Sequence, residues 1–571
     1  MKKSTHRTVS LCLAVFVLLG SFAGCGTATS TPSPSTASTP SPSPSISASA
    51  STEPSSSSEP EPQKPAYLLD TKPITFDVYF NASWFAEQWI TDVATRSTAY
   101  ITKKTGVSLN LIAPTGNEAE KMTTMIASGE VPDMILSDFY DANTIKLYQA
   151  GLLEPLNKLA DQYDKAFYEV VKVSQIGWLS KADGNIYDYP NFANAYEIAM
   201  ANPDKSVYVG DAVVDVRKDM YEAIGNPDMT TPDGFLNGLK AAKEKFPQVD
   251  GQPMIPIGML FNPQGCRFID NYIPQLAALP IEKDGKLYDN LSDPEYITWI
   301  KTLRKANEMG LISKENFIDQ RSQHDEKLAG ARYFITTQGR SDTAGTNLTL
   351  YRANKDTGKY YIALDAVRNS KKEDPKLIGK ILLDGWMDAH ITTKCKDKAR
   401  AIRFLNYLMG PEGQFDAWYG EKDVTYTVEN GKNVIKKEVL DDKDAAAKYY
   451  VGGNNWTFFN IDITSEFRKL APPVERTAID DIVDYEAKYL FFAPQLNSIA
   501  LDPSSEEGVA EQNISTLWGE TVPKLVLAKS DTEFDILLKG FLAKRDTMGY
   551  AKVMDVRNAL YQKNKQKLGM Q

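Results

Sequence analysis

Histidine, whose side chain takes up or releases a proton near neutral pH, occurs only at His6, His324 and His390. The chain has no His-Glu-x-x-His pair, no Cys-x-x-Cys, no Gly-x-Ser-x-Gly turn and no Gly-x-x-x-x-Gly-Lys-Ser/Thr loop. The spacings that build zinc peptidases, serine hydrolases and phosphate-cradling loops are therefore missing. An Asp-x-Asp/Asn-x-Asp/Asn-Gly loop for calcium is absent too, so neither a metal nor a cofactor is expected. Acidic chemistry stays open, because 74 Asp and Glu supply many pairs of carboxylates of the kind that cleave glycosides.

Charge and length narrow the classes further. With 64 Lys and Arg against 74 Asp and Glu, the formal net charge of −10 offers no basic excess for neutralising phosphates. No nucleic-acid partner is expected. Of the four cysteines, two fall within the first 25 residues, which rules out a cross-linked framework. Cys266 and Cys395 could pair or stay free, and spacing does not decide it. Lys2, Lys3 and Arg7 precede an apolar run, Val9–Gly20, of signal-peptide length. The run ends in Phe22-Ala23-Gly24-Cys25, which resembles a bacterial lipobox, with Phe22 where the pattern prefers Leu. Residues 1–24 read as a signal peptide, and Cys25 as the lipidated first residue of the mature chain. An ordinary signal peptide with an incidental cysteine is the alternative. Lipidation at Cys25 supplies two or more acyl chains, enough for stable anchoring.

Residues 25–65 read as a tether. Between Gly26 and Pro65, 29 of 40 residues are Ser, Thr or Pro, leaving almost no apolar surface to offset the entropy of ordering. As a coil it would reach about 35 Å. Beyond it, strands and helices alternate. Ile74–Phe80 and Val107–Ile112 have strand patterns, and Pro132–Leu136 is a short apolar strand. Helices are predicted over 87–106, 117–128 and 143–150, each ended by or near glycine. This order implies a mostly parallel sheet, with ligands at the carboxyl ends of its strands. The loops Asn81–Trp84 and Ser137–Asp141 are suspects on that geometry alone.

These segments also carry a resemblance. Ser128-Gly129-Glu130-Val131-Pro132-Asp133-Met134-Ile135-Leu136 and Ala150-Gly151-Leu152-Leu153-Glu154-Pro155-Leu156 are similar to the core motif of family 1 extracellular solute-binding proteins, the receptors of ABC importers. Further segments follow in the family's order: Asp183–Pro190, Val216–Gly225, Leu328–Tyr333, and Lys394–Leu408 with Pro411-Glu412-Gly413. The tail, from a hairpin at Tyr426–Val439 to helices at Phe534–Thr547 and Ala551–Lys565, resembles the LipO-like or aldouronate-receptor subgroup. The resemblance implies an α/β, two-lobed periplasmic-binding-protein-like fold, each lobe a mostly parallel sheet flanked by helices. It implies crossings near Val207–Asp211, Thr336–Asp342 and Asp388–Lys394. Lobe 1 would then hold 66–208 and 340–390, and lobe 2 would hold 209–339 and 391–571. Two sequential domains are the alternative.

The implied ligand is an oligosaccharide, captured by lobe closure and handed to an ABC permease, with no chemistry performed. Sugar recognition needs flat aromatic faces and planar polar groups. The candidates are Trp84 after the first strand, Asp138 and Tyr140 after the third, Arg340, Trp386 and Asp388 at crossings, and Asn455 and Trp456 in a polar loop. Each aromatic could equally be core, and Asp138 could be a helix N-cap. Trp89, Trp299 and Trp518, inside predicted helices, are assigned to the core. Arg340 suits a uronate carboxylate through a bidentate pair; its alternative is an interlobe or surface salt bridge. A lipid-anchored monomer on the extracellular face of a Gram-positive membrane follows. The competing readings are a surface polysaccharide hydrolase or lyase, and a carbohydrate-binding adhesion or sensor module without a transport role.

Overall fold

The computed structural model describes residues 64–570, apart from positions 84, 86, 87, 116, 140, 381, 382, 442–457, 474, 498, 500 and 503. The expectations for Cys25, Trp84, Tyr140, Asn455 and Trp456 fall outside the described residues. The N-terminal part runs β1 (Ile74–Phe80), α1 (Ser97–Thr105), β2 (Val107–Ile112), α2 (Glu118–Ser128), β3 (Met134–Ser137) and α3 (Ala142–Gln149). β1 pairs in parallel with β2, Ile74 opposite Val107, and with β3, Val78 opposite Met134. Alternation along β1 splits its side chains between two buried faces. Phe76, Val78 and Phe80 enter one core, and Tyr79 enters another with Met122, Met125 and Leu147.

Helix α1 starts ten residues later than its pattern predicts. The preceding stretch folds back on it instead: Trp89 Nε1 donates to Thr102 Oγ1 at 2.9 Å, and Thr98 Oγ1 donates to Ile90 O at 2.6 Å. Gly106 ends the helix at φ 72°, where a Cβ would sit 2.1 Å from Thr71 O. Only glycine fits there.

A second sheet follows: β4 (Val214–Arg217), β5 (Ile255–Gly258), then α4 (Pro294–Glu308), β6 (Tyr333–Thr336), α5 (Arg340–Asn354) and β7 (Tyr361–Leu364). Its order is β7-β4-β6-β5, with β4 antiparallel to both neighbours and β6 parallel to β5. Val214 and Val216 pack with Phe235, Leu239 and Trp299 on one face. Ile255, Tyr333 and Tyr361 pack with Leu328 and Leu350 on the other. The chain then returns to the first sheet as β8 (Asp388–Ile391), antiparallel to β3 with Asp388 opposite Ser137. Helix α6 (Lys398–Met409) covers that sheet through Phe404, Leu405 and Leu408. Last come α7 (Ala478–Lys488), α8 (Glu506–Leu527), α9 (Asp531–Thr547) and α10 (Tyr550–Lys567). Ala478, Val522, Leu525 and Phe534 join the cores of the second sheet.

Segment membership differs from the expectation. Residues 340–364 belong with the second sheet, because Tyr361–Leu364 pairs residue by residue with Val214–Arg217. Residues 388–409 belong with the first, because β8 pairs with β3 and α6 packs on its core. Thr336–Asp342 is therefore no crossing, and the second crossing comes before Asp388 rather than after it. The chain passes between the sheets at 202–213, at 365–387, and between Phe467 and Ala478. Strand directions explain where these segments run. β1 and β3 end, and β8 begins, at one edge of the first sheet; β5, β6 and β7 end, and β4 begins, at one edge of the second. The segment 365–387 joins those two edges directly.

The crossings are tied together. Lys380 N donates to Tyr208 O at 2.8 Å, Lys380 pairs with Asp211 at 2.7 Å, and Gly379 N donates to Phe491 O at 2.9 Å. Lys567, at the end of α10, donates to Trp178 O at 3.0 Å. Cys266 and Cys395 are both buried and unbonded. Among the described residues no helix is long and apolar enough to cross a membrane.

Candidate ligand-binding site

At the carboxyl edge of the first sheet, aromatic rings form a shelf. Phe80, the last residue of β1, stacks on Phe85 with centroids 4.0 Å apart. Trp386 meets Phe80 edge-on at 6.4 Å and Phe192 at 5.7 Å, and Phe192 lies 4.8 Å from Phe459. The two Trp386 contacts have the edge-on geometry that ring quadrupoles favour. Two bulky residues beside the shelf adopt left-handed backbone, Phe192 at φ 54° and Met387 at φ 56°. Such conformations persist only where the surroundings over-determine them. Here Asn191 does so. Its carbonyl accepts the Trp386 N–H at 2.6 Å, its Oδ1 accepts the Phe459 N–H at 2.6 Å, and its Nδ2 donates to Met387 O at 3.4 Å. Gly385, at φ 77°, lets the two segments touch, since a Cβ there would lie 2.2 Å from Asn191 O. Trp386 itself stays partly exposed.

The polar candidates divide. Asp138 lies at this edge and its carbonyl accepts from Thr144 Oγ1 at 2.9 Å, but the N-cap of α3 is Asp141, which accepts the Asn143 N–H at 2.8 Å. Asn81, unpredicted by itself, donates to Asp141 at 3.0 Å and accepts from Tyr79 at 3.1 Å. Asp388 is fully buried, with Oδ1 accepting the Asn191 N–H at 3.3 Å. Burial and the neighbouring Asp188 and Asp384 push its carboxyl well above the usual range, and it braces Asn191 rather than facing solvent. Arg340 lies apart from the shelf, in the first turn of α5. Its Nε pairs with Glu486 Oε2 at 2.6 Å and its Nη2 donates to Gly210 O at 3.3 Å. It is a salt bridge, but one between α5 and α7, both packed with the second sheet, and made to a buried carboxylate, rather than an interlobe or surface pair. Glu486 is wholly buried, and burial raises it to about 7 against the pull of Arg340.

On the second sheet's side lies a groove of about 830 Å3, within the size range of small-ligand sites. Its walls come from the segment after β5, the loop 287–291, and α8, α9 and α10. Trp518 of α8 stands in the wall, partly exposed, where its Nε1 donates to Asp270 Oδ1 at 2.7 Å and Phe541 packs 5.0 Å away. Asp270 Oδ2 accepts the Cys266 N–H at 2.7 Å, and burial lifts the carboxyl to about 6. Trp518 was expected in the core; Trp299, its counterpart in α4, is there, 1% exposed and bonded to Arg368 O at 2.9 Å. The signal that separates them is the next residue. Gly519 presses α8 so close to the 263–264 backbone that a Cβ would lie 2.0 Å from Pro263 O. Among the described residues, no group of three or more His, Cys, Asp or Glu is placed to hold a metal ion.

Two sheets with helices on both faces, joined by crossings at their carboxyl edges, define a two-lobed periplasmic-binding-protein-like fold. Residues 98–429 match the family model for bacterial extracellular solute-binding protein, and the chain belongs to that family. A sequence relative is the fructooligosaccharide ABC transporter substrate-binding protein FusA of Streptococcus pneumoniae, 24% identical over 265 residues. That alignment covers 43% of this chain and 46% of FusA, less than half of either. Among solved structures, S. pneumoniae FusA in complex with kestose superposes with a TM-score of 0.62 at 17% identity, covering 86% of this chain and 100% of that one. The alginate-binding protein AlgQ2 without calcium ion gives 0.60 at 20% identity, covering 87% and 100%.

Proposed function

We propose that this chain captures an oligosaccharide between its two lobes and delivers it to the permease of an ABC importer without altering it. The observation that carries this reading is the pair of aromatic surfaces, the Trp386 shelf and the Trp518 groove, on two lobes whose crossings meet at the carboxyl edges of both sheets. Aromatic faces cover the C–H faces of pyranose or furanose rings at low entropic cost, and the crossings supply a hinge. In this reading lobe 1 comprises about 64–201 and 388–467, and lobe 2 about 214–364 and 478–570. Trp386 contacts the sugar, Trp84, Tyr140, Asn455 and Trp456 are further candidates for sugar contact, and Asp138 orients the edge loop. The names of FusA, a fructooligosaccharide receptor, and AlgQ2, an alginate receptor, support an oligosaccharide and leave its charge open. Lipidation at Cys25 and the Ser/Thr/Pro tether would hold a monomer outside the cytoplasmic membrane, within reach of the permease.

The test is a thermal-shift and calorimetric screen of oligosaccharides with the purified chain. Saturation at about 100 times Kd should stabilise the fold by about 2.7 kcal/mol, with the sugar recovered unchanged. Appearance of new reducing ends would replace this reading with the hydrolase.

A further inference from the structure

Among the described residues, five charged side chains line the groove: Asp270, Asp289, Glu511, Arg545 and Arg557. Both cations already face carboxylates. Arg545 Nη1 pairs with Asp289 Oδ2 at 2.8 Å, its Nε lies 3.5 Å from Asp546, and its guanidinium carbon sits 3.6 Å above the Tyr550 ring. Arg557 Nε lies 3.3 Å from Glu511 Oε1, an ion pair without hydrogen-bond geometry. Asp270 is different. Its two partners, the Trp518 indole N–H and the Cys266 amide, are neutral, so nothing among the described contacts balances its charge once ionised. Among its described residues the groove thus carries one carboxylate more than its cations can balance.

A carboxylate-bearing ligand would have to win a guanidinium from its partner, leaving Asp289 or Glu511 unpaired at a partly buried surface. It would also approach Asp270, a like charge. Hydroxyl groups meet the opposite situation. Gln264, Asn290, Gln512, Asn513 and Ser515 line the same groove, and none of their side chains bonds to another described residue. Planar amides with both donor and acceptor unspent are what sugar hydroxyls require. The locked indole of Trp518 adds the apolar face.

We infer that the groove is a subsite for uncharged sugar residues and discriminates against uronates. This rests on the oligosaccharide reading above and fixes the substrate class within it. It also turns away from the uronate expectation attached to Arg340, whose guanidinium is spent on Glu486 and Gly210.

The test uses the full mature chain at pH 7.5 and isothermal calorimetry. Neutral probes are 1-kestose, maltotriose, cellotriose and xylotetraose; acidic probes are trigalacturonate and glucuronate-substituted xylotetraose. At least one neutral probe should bind, and the acidic probes at least tenfold more weakly. Glu511→Gln, which releases Arg557 from its carboxylate, should shift the acidic-to-neutral affinity ratio about tenfold toward the acid. Its melting curve checks that the variant folds. Acidic probes that bind as tightly as neutral ones would overturn the inference while leaving the oligosaccharide reading intact. So would discrimination that Glu511→Gln does not alter, since charge would then be read elsewhere. Silence from every probe would remove the oligosaccharide reading, and this inference with it.

Discussion

The shelf and the groove present aromatic surface by opposite means. The shelf is assembled from four separate stretches, around Phe80, Phe192, Trp386 and Phe459, none of them helical at the ring that matters. Left-handed backbone at Phe192, Gly385 and Met387 aims the rings, and Asn191 holds those stretches in register. The groove draws Trp518, Phe541 and Tyr550 from three regular helices and fixes them with side-chain pairs. Strained connections are sensitive to backbone changes, whereas helix walls are sensitive to charge. A closing receptor gains from the first property at its crossings, where dihedral changes must be absorbed, and from the second where selectivity is set.

The sharpest way to break this contrast is at glycine. Gly385→Ala places a Cβ 2.2 Å from Asn191 O at φ 77° and should destabilise the protein by about 3 kcal/mol or more, read from urea unfolding. Gly285, in the hairpin turn just before the groove loop, has a similar φ of 74° but open space around its missing Cβ. Gly285→Ala should therefore cost only about 1 kcal/mol. Equal costs would show that the shelf is not braced as described.

Next in size is a pH effect confined to the groove. Burial raises Asp270 from 3.8 to about 6, so its folded pKa exceeds its unfolded one. The group contributes its full stability below about pH 4, and that contribution is lost as pH rises through 6. The loss is up to about 3 kcal/mol. Unfolding free energies measured from pH 4 to 7.5 should fall more steeply for the wild type than for Asp270→Asn. Parallel curves would contradict the placement of Asp270.

Local pattern made the elements legible. Alternation in Ile74–Phe80 reappears as β1, its side chains split between two buried cores. Lobe membership was not legible, because it depends on which distant strand a segment finds. Nothing within Tyr361–Leu364 states that its partner is Val214–Arg217. The site was half legible. Trp386 stands at the carboxyl edge because a segment bound for β8 must pass there. Asp388, two residues on, would share Trp386's face under simple alternation, but left-handed Met387 intervenes and all four residues of β8 are buried. Trp518 was assigned to the core because an indole in a helix pattern reads that way; it packs against the core but stays partly exposed in the groove wall.

The smallest expected effects compare the two tryptophans directly. Trp386→Ala should weaken oligosaccharide binding by about 1.5 kcal/mol, roughly tenfold, because a ring face leaves the sugar. Stability should change little, since Trp386 is partly exposed and its backbone N–H to Asn191 O survives the substitution. Trp518→Phe keeps an aromatic face but removes the N–H that Asp270 Oδ1 accepts. It should cost about 1 kcal/mol of stability and less than threefold in affinity. The two substitutions thus load different columns: one mainly affinity, the other mainly stability. If Trp518→Phe instead abolished binding while Trp386→Ala did not, the groove would be the principal sugar contact and the shelf a structural brace.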